Sequence, residues 1–188
     1  KLSTGLPPTR LSSNETFKIN NITFNAMDLG GHEAVRHLWS EYSSGADGII
    51  FMIDATDSRR FLEASEELEL LILDLETAAA AAVAANNKNQ VSKNNGEDEE
   101  EEEEEEDRLW SRAMPIVILL NKYDQENAIV RKDIVKELNL KEIISNWGKD
   151  SKNEKKMSSS MPIIEVFCCS VVEDRGYQKA FEWLSQFV

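Results

Sequence analysis

A chain of 188 residues can bury one core and is short for two, and a 41% hydrophobic content suits one soluble globular domain spanning 1–188. The formal net charge of −14 is concentrated: residues 97–107 are eleven consecutive acids, and setting them aside leaves −3, which argues against a nucleic-acid partner. No apolar run approaches the ~18 residues of a membrane span and no signal peptide is expected; the only cysteines, Cys168 and Cys169, are adjacent, which suits neither a bridge nor a metal site and points to a reduced, cytosolic compartment.

In chain order, residues 16–19 and 22–28 read as two strands around an Asn20-Asn21 turn. Residues 33–43 predict a helix with Val35, Leu38, Trp39 and Tyr42 on one stripe. Residues 48–54 form a continuous apolar run, the pattern of a strand covered on both faces. Apolar residues recur at three and four over 59–76, predicting a helix, and 115–121 is the next strand. A helix over 129–138, a strand over 163–169 and an amphipathic terminal helix over 176–188 complete the pattern. Strands alternating with helices predict an α/β fold with a mainly parallel sheet and helices on both faces. Residues 78–107 are a low-complexity insertion of alanines, asparagines and acids. Its alanines are expected to prolong the preceding helix by a turn or two, and its self-repelling acids to be disordered. It reads as an expanded surface insertion, with a tail for a basic partner as the other reading. Residues 149–160, polar and serine-rich, are expected to be a mobile loop.

Ligands of such sheets lie beyond the carboxyl ends of the strands, where Asp28, Asn121 and Ser170 fall. Asp28-Leu29-Gly30-Gly31-His32 places a carboxylate at a strand end and a glycine amide three residues on. Asp28 suits a magnesium-bound water, and Gly31 can bring its N–H to a γ-phosphate because no side chain blocks the approach. Loss of that phosphate would release the loop. Asn121-Lys122-Tyr123-Asp124 suits a guanine pocket. The Asp124 carboxylate can accept from the N1–H and the exocyclic amine of guanine, a donor pair that adenine lacks. Asn121 would tie the loop and approach N7, and the Lys122 stem can lie over the base. In Cys169-Ser170-Val171, the Val171 amide can donate to guanine O6 while Ser170 braces the loop. His32 can orient or polarise an attacking water. His37, further along, is expected on a solvated face. Thr9, after Pro7-Pro8, can offer its hydroxyl to magnesium. Trp39 and Tyr42 have two open readings, core residues or an aromatic patch for an effector.

These motifs resemble the Sar branch of the Sar/Arf small GTPases. The resemblance rests on Pro8-Thr9, Asp28-Leu29-Gly30-Gly31-His32-Glu33, Arg36 with Trp39, Asp47-Gly48-Ile49-Ile50-Phe51, Asp54-Ala55-Thr56-Asp57, Glu63-Ala64-Ser65-Glu66-Glu67-Leu68, Asn121-Lys122-Tyr123-Asp124, and Cys169-Ser170-Val171 with Gly176-Tyr177. Histidine at 32 resembles the Sar branch, whereas the Arf branch usually carries glutamine there. The resemblance implies a small G protein of the P-loop NTPase-like, three-layer αβα class. It implies a monomeric switch that binds GTP and GDP with Mg2+ and hydrolyses GTP, by positioning and charge stabilisation. His32 would position the water, Thr9 and Asp28 would serve the metal, and Gly31, Asn121, Lys122, Asp124, Ser170 and Val171 would hold the nucleotide. It further implies COPII inner-coat subunits supplying an arginine in trans, a membrane-bound exchange factor, and work at the cytosolic face of the endoplasmic reticulum and Golgi.

The departures from that pattern are equally plain. The 188 residues contain no Gly-x-x-x-x-Gly-Lys-[Ser/Thr] phosphate loop. The family's first strand, its first helix and its membrane-inserting amphipathic helix are also missing. An amino-terminally truncated chain is the expectation, weak in nucleotide binding and with strand edges left open. The alternatives are a pseudo-GTPase that acts only as a protein-binding module, and an Arf-like GTPase.

Overall fold

The computed structural model describes Thr9 and residues 12–19, 21–92, 114–146 and 162–187, with backbone alone at 80, 82–92 and 146. The acidic run 97–107 and the expected loop at 149–160 lie outside these residues.

The centre of the fold is β4, Pro115–Asn121, in which six of seven residues are buried. It pairs in parallel with β3, Ile49–Asp54, on one side and with β5, Ile163–Cys168, on the other. Its alternating side chains feed two cores, as the two-residue period of a strand requires. Ile116, Ile118 and Leu120 pack with Leu68, Ile72 and Leu75 of α2, Phe61–Ser92, and with Ile134 of α3, Arg131–Glu137. Val117 and Leu119 face Ala180 and Leu184 of α5, Tyr177–Leu184. The three layers of an α/β sandwich follow directly. Each fully buried Ile or Leu of β4 contributes about 1.5–3 kcal/mol over an exposed one.

The strands at 12–29 form their own sheet. β1, Ser12–Ile19, and β2, Ile22–Leu29, pair antiparallel from Ser12–Leu29 to Ile19–Ile22. Asn21 closes the turn at φ 74°, a left-handed conformation that asparagine tolerates. The hairpin is not hydrogen-bonded to the parallel sheet among the described residues. It docks through side chains instead: Phe17 and Phe24 stack at 5.6 Å, and both meet Phe181 of α5 edge-on at 5.3 and 5.4 Å.

Four expectations are adjusted. The helix expected over 33–43 is a 3-10 turn, Glu33–Val35, followed by α1, Leu38–Ser43. Residues 32–39 run on i→i+3 bonds (Val35 to His32, Arg36 to Glu33, Trp39 to Arg36), a tighter path than an α-helix. β3 is covered on both faces only in part: Ile49, Phe51 and Ile53 pack into one core and Ile50 against the other, but Met52 is 55% exposed, and among the described residues β3 is the terminal strand of its sheet. The helix expected over 129–138 is α3, and α4, Leu140–Asn146, follows at once. Asn139, at φ 50°, breaks the two apart as a left-handed cap. Finally, α2 runs on to Ser92, further than a turn or two past Glu76, through a run of alanines that favour helix.

Candidate functional site

The parallel register sets Asp54 beside Asn121 at the carboxyl ends of β3 and β4. β5 ends next to them, since Leu120 pairs with Cys168. Three loops therefore leave the sheet together, and backbone bonds lace them: Ala55 N–H to Asn121 O at 2.9 Å, Tyr123 N–H to Cys169 O at 3.1 Å, and Cys169 N–H to Leu120 O at 2.8 Å. Asn121 Oδ1 accepts from the Val171 amide at 3.2 Å, so this side chain ties the β4 loop to the β5 loop. The Val171 amide, expected to face guanine O6, is thereby engaged within the protein.

Lys122 adopts φ 63°, a strained position for a residue with a side chain. Its Nζ lies 2.6 Å from Asp54 Oδ2. Asp54 also accepts from the Thr56 hydroxyl at 2.7 Å and the Thr56 amide at 3.0 Å. Partial burial works against the Asp54 charge, but Lys122 and Thr56 outweigh it and hold the carboxyl below its ordinary range. The sequence reading gave Asp54 no site role. Its signal was only partial: an aspartate ending an apolar strand lies beside Asn121 only because β3 and β4 are neighbours in the sheet.

Asp124 is partly exposed as a residue, yet its Oδ1 is shielded from water and has no hydrogen-bond partner. The Ser170 hydroxyl, then the residue's own amide, hold its carboxyl below the ordinary range, and the charges of Arg175 and Lys122 add to this. Ser170 is fully buried; its Oγ accepts from the Glu173 amide at 3.1 Å, and its backbone is bridged to Arg175. An orphaned carboxylate oxygen is costly unless something donates to it. A ligand edge carrying N–H groups is the chemistry that fits.

At the end of β2, the Thr9 hydroxyl donates to Asp28 Oδ2 at 2.6 Å, so two residues expected at one metal do lie together. They supply oxygen donors only, which suits magnesium, an ion that keeps waters and takes phosphate oxygens for the rest of its shell. No group of three or more acidic, histidine or cysteine side chains placed to hold a metal ion exists among the described residues. Gly31 and His32 follow, both exposed, and a Cβ placed on Gly31 would meet nothing within 4 Å. The outer side of this loop is open space.

The inner side is held firmly. Arg36 Nε donates to Gly31 O at 3.1 Å, and Trp39 Nε1 donates to Gly30 O at 3.1 Å. Arg36 also binds Glu67 at 2.6 Å and Glu63, both on α2. The Arg36 guanidinium lies over the Trp39 ring at 5.9 Å, and that ring meets Phe51 of β3 edge-on at 5.9 Å. Trp39 is thus turned inward with its N–H committed, whereas Tyr42 is 37% exposed. A cleft of about 240 Å3 opens beside this network, between the 36–40 segment and α2, and not over Asp124. Among the described residues no hydrogen bond or ion pair joins the Asp28–His32 group to the Asn121–Val171 group.

The sequence pattern of the ADP-ribosylation factor family matches residues 2–116 and 100–188, together nearly the whole chain. Among curated relatives, the small COPII coat GTPase SAR1 of Giardia intestinalis is 28% identical over 186 residues, covering 99% of this chain and 77% of the relative. The protein of the same name from Nicotiana tabacum is 24% identical, covering 96% and 75%. ADP-ribosylation factor K of Dictyostelium discoideum is 27% identical, covering 91% and 64%. Among solved structures, the Arl6 small GTPase of Trypanosoma brucei, bound to the nucleotide analogue GppNp, superposes with a TM-score of 0.65 at 19% identity, covering 99% of this chain and 84% of that one. The β4-centred sandwich, the loops at its strand ends and the family pattern over nearly all residues agree, and the chain belongs to the ADP-ribosylation factor family of small GTPases.

Proposed function

We propose that this protein is a guanine-nucleotide switch of the Sar type, binding and hydrolysing GTP in COPII vesicle formation between the endoplasmic reticulum and the Golgi. The observation that supports guanine binding best is the orphaned Asp124 Oδ1 beside Ser170, at the mouth of three laced loops. In this reading Asp124 accepts the N1–H and amine of guanine. Asn121 keeps the loops together, and the Lys122 stem covers the base. Ser170 braces Asp124, and the Val171 amide passes from Asn121 to guanine O6. The Gly31 amide donates to the γ-phosphate, and His32 orients the attacking water. Thr9 and Asp28 hold Mg2+, which when bound neutralises phosphate charge.

The coat subunits, the exchange factor and the endoplasmic reticulum membrane are proposed partners, supported by the similarity to two SAR1 proteins and by histidine at position 32. An Arf-like role is the second reading. ADP-ribosylation factor K, at 27% identity, is about as similar as the SAR1 proteins are. The two separate at His32: under the Arf-like reading, His32→Gln leaves hydrolysis largely intact.

The test is titration of the 188-residue chain with a fluorescent GTP analogue plus magnesium, with the ATP analogue as control. Guanine-selective binding is expected, and weak, because these 188 residues carry no phosphate loop. Asp124→Asn should weaken guanine binding on the order of 100-fold, while gaining for xanthine, whose 2-oxo group accepts where guanine donates. A folded chain that binds neither nucleotide overturns the reading and leaves a protein-binding module.

A further inference from the structure

The Gly30 carbonyl and the Gly31 amide belong to one planar trans peptide, so they point in opposite directions. Whatever holds the carbonyl therefore aims the amide. Trp39 Nε1 holds the Gly30 carbonyl at 3.1 Å, and Arg36 Nε holds the Gly31 carbonyl at 3.1 Å, which in the same way aims the His32 amide. We infer that Trp39 and Arg36 are positioning residues that aim the Gly31 and His32 amides away from α2 and toward the γ-phosphate. The inference rests on the functional reading above and adds to it the device that sets the direction of the phosphate-sensing amide.

Two adjacent glycines cannot set that direction alone, since each samples more backbone conformations than any other residue. The latch is itself anchored on rigid elements. Trp39 is packed edge-on against Phe51 of β3 and lies under the Arg36 guanidinium. Arg36 is fixed by Glu63 and Glu67 of α2. An i→i+3 bond from the Trp39 amide to the Arg36 carbonyl at 2.9 Å sets the two positions about one turn apart, and their side chains meet consecutive carbonyls. A tryptophan serving only as core would need some acceptor for its N–H. Here the acceptor is the other end of the peptide that carries the Gly31 amide, and a neighbouring side chain grips the next peptide in the same manner.

The test uses the 15N-labelled chain and Trp39→Phe, which keeps an aromatic ring against Phe51 and removes the donor. The Gly31 amide resonance should shift and its hydrogen exchange should accelerate, with β4 amides unchanged. Affinity for a non-hydrolysable GTP analogue should fall about threefold to tenfold while GDP affinity holds, because only the triphosphate uses that amide. An unmoved Gly31 amide, or equal loss for both nucleotides, overturns the inference. If the wild-type chain binds no guanine nucleotide, the proposed function fails, and the Gly31 resonance alone still decides whether Trp39 aims the amide. Should Trp39→Phe not fold, Arg36→Lys keeps the charge beside Glu63 and Glu67 but loses the Nε donor. The His32 amide must then move, and an unmoved one overturns the inference equally.

Discussion

Glu63 stands between two arginines, Arg60 from the turn just before α2 and Arg36 from the turn just before α1. Arg60 first, then Arg36, hold its carboxyl down from 4.5 to about 2. A carboxyl whose folded value is depressed stabilises the fold above its unfolded value and loses that share as pH falls toward the folded one. The window here lies between 4.5 and about 2. Thermal melts of wild type and Glu63→Gln should therefore differ most near neutrality, draw together below pH 4.5 and converge only as pH falls through about 2. A gap that stays constant over that range would refute the assignment. Lys122 illustrates a second residue-scale lesson. Its Nζ is given to Asp54 and its backbone is strained, so at this position pre-set geometry takes precedence over local comfort.

At the scale of elements, α5 depends on how it starts. Gly176 sits at φ 90°, and a Cβ there would collide with the Cys168 carbonyl oxygen. Gly176→Ala should cost about 2 kcal/mol or more, read from the urea midpoint. A cost near zero would mean that the turn before α5 relaxes freely. β4 was plain in the sequence because an unbroken apolar run between polar ends has few other meanings, and its bounds coincide with 115–121. The motif loops were legible for the same reason: each sits just past such a run. The segment 33–43 was not, since its apolar stripe fits an α-helix. It opens instead with a 3-10 turn, and Arg36 and Trp39 reach back to glycine carbonyls, contacts that no periodicity encodes. The α3–α4 break was hidden likewise, in the left-handed turn at Asn139. The Asp54–Lys122 pair required knowing which strands are neighbours, a fact of topology rather than of local sequence.

At the scale of the molecule, two bodies of unequal robustness share one chain. The parallel sheet has a core on each face, whereas the hairpin meets it mainly through Phe17 and Phe24 around the Phe181 ring, with Phe24 against the β4 core and Trp39 and Arg36 holding the loop after β2. Isolated hairpins are marginal in water, and sub-global opening follows the weakest set of contacts. Hydrogen exchange should show β1 and β2 amides opening before those of β4. Phe181→Ala, at about 3 kcal/mol, should strip protection from the hairpin while leaving β4 protected. Uniform loss across both sheets would show them to be one cooperative unit.

Cys169 is 1% exposed, and burial pushes its thiol up to about 11, with Cys168 adding to the shift. Its carbonyl and amide are the stitches that join the β5 loop to Tyr123 and Leu120. Electrophiles near neutral pH thus meet neither a thiolate nor a path to the sulfur while those stitches hold. Alkylation of Cys169 becomes a clock: each modification event counts one opening of the loops that surround Asp124, and any ligand that clasps them slows the tick.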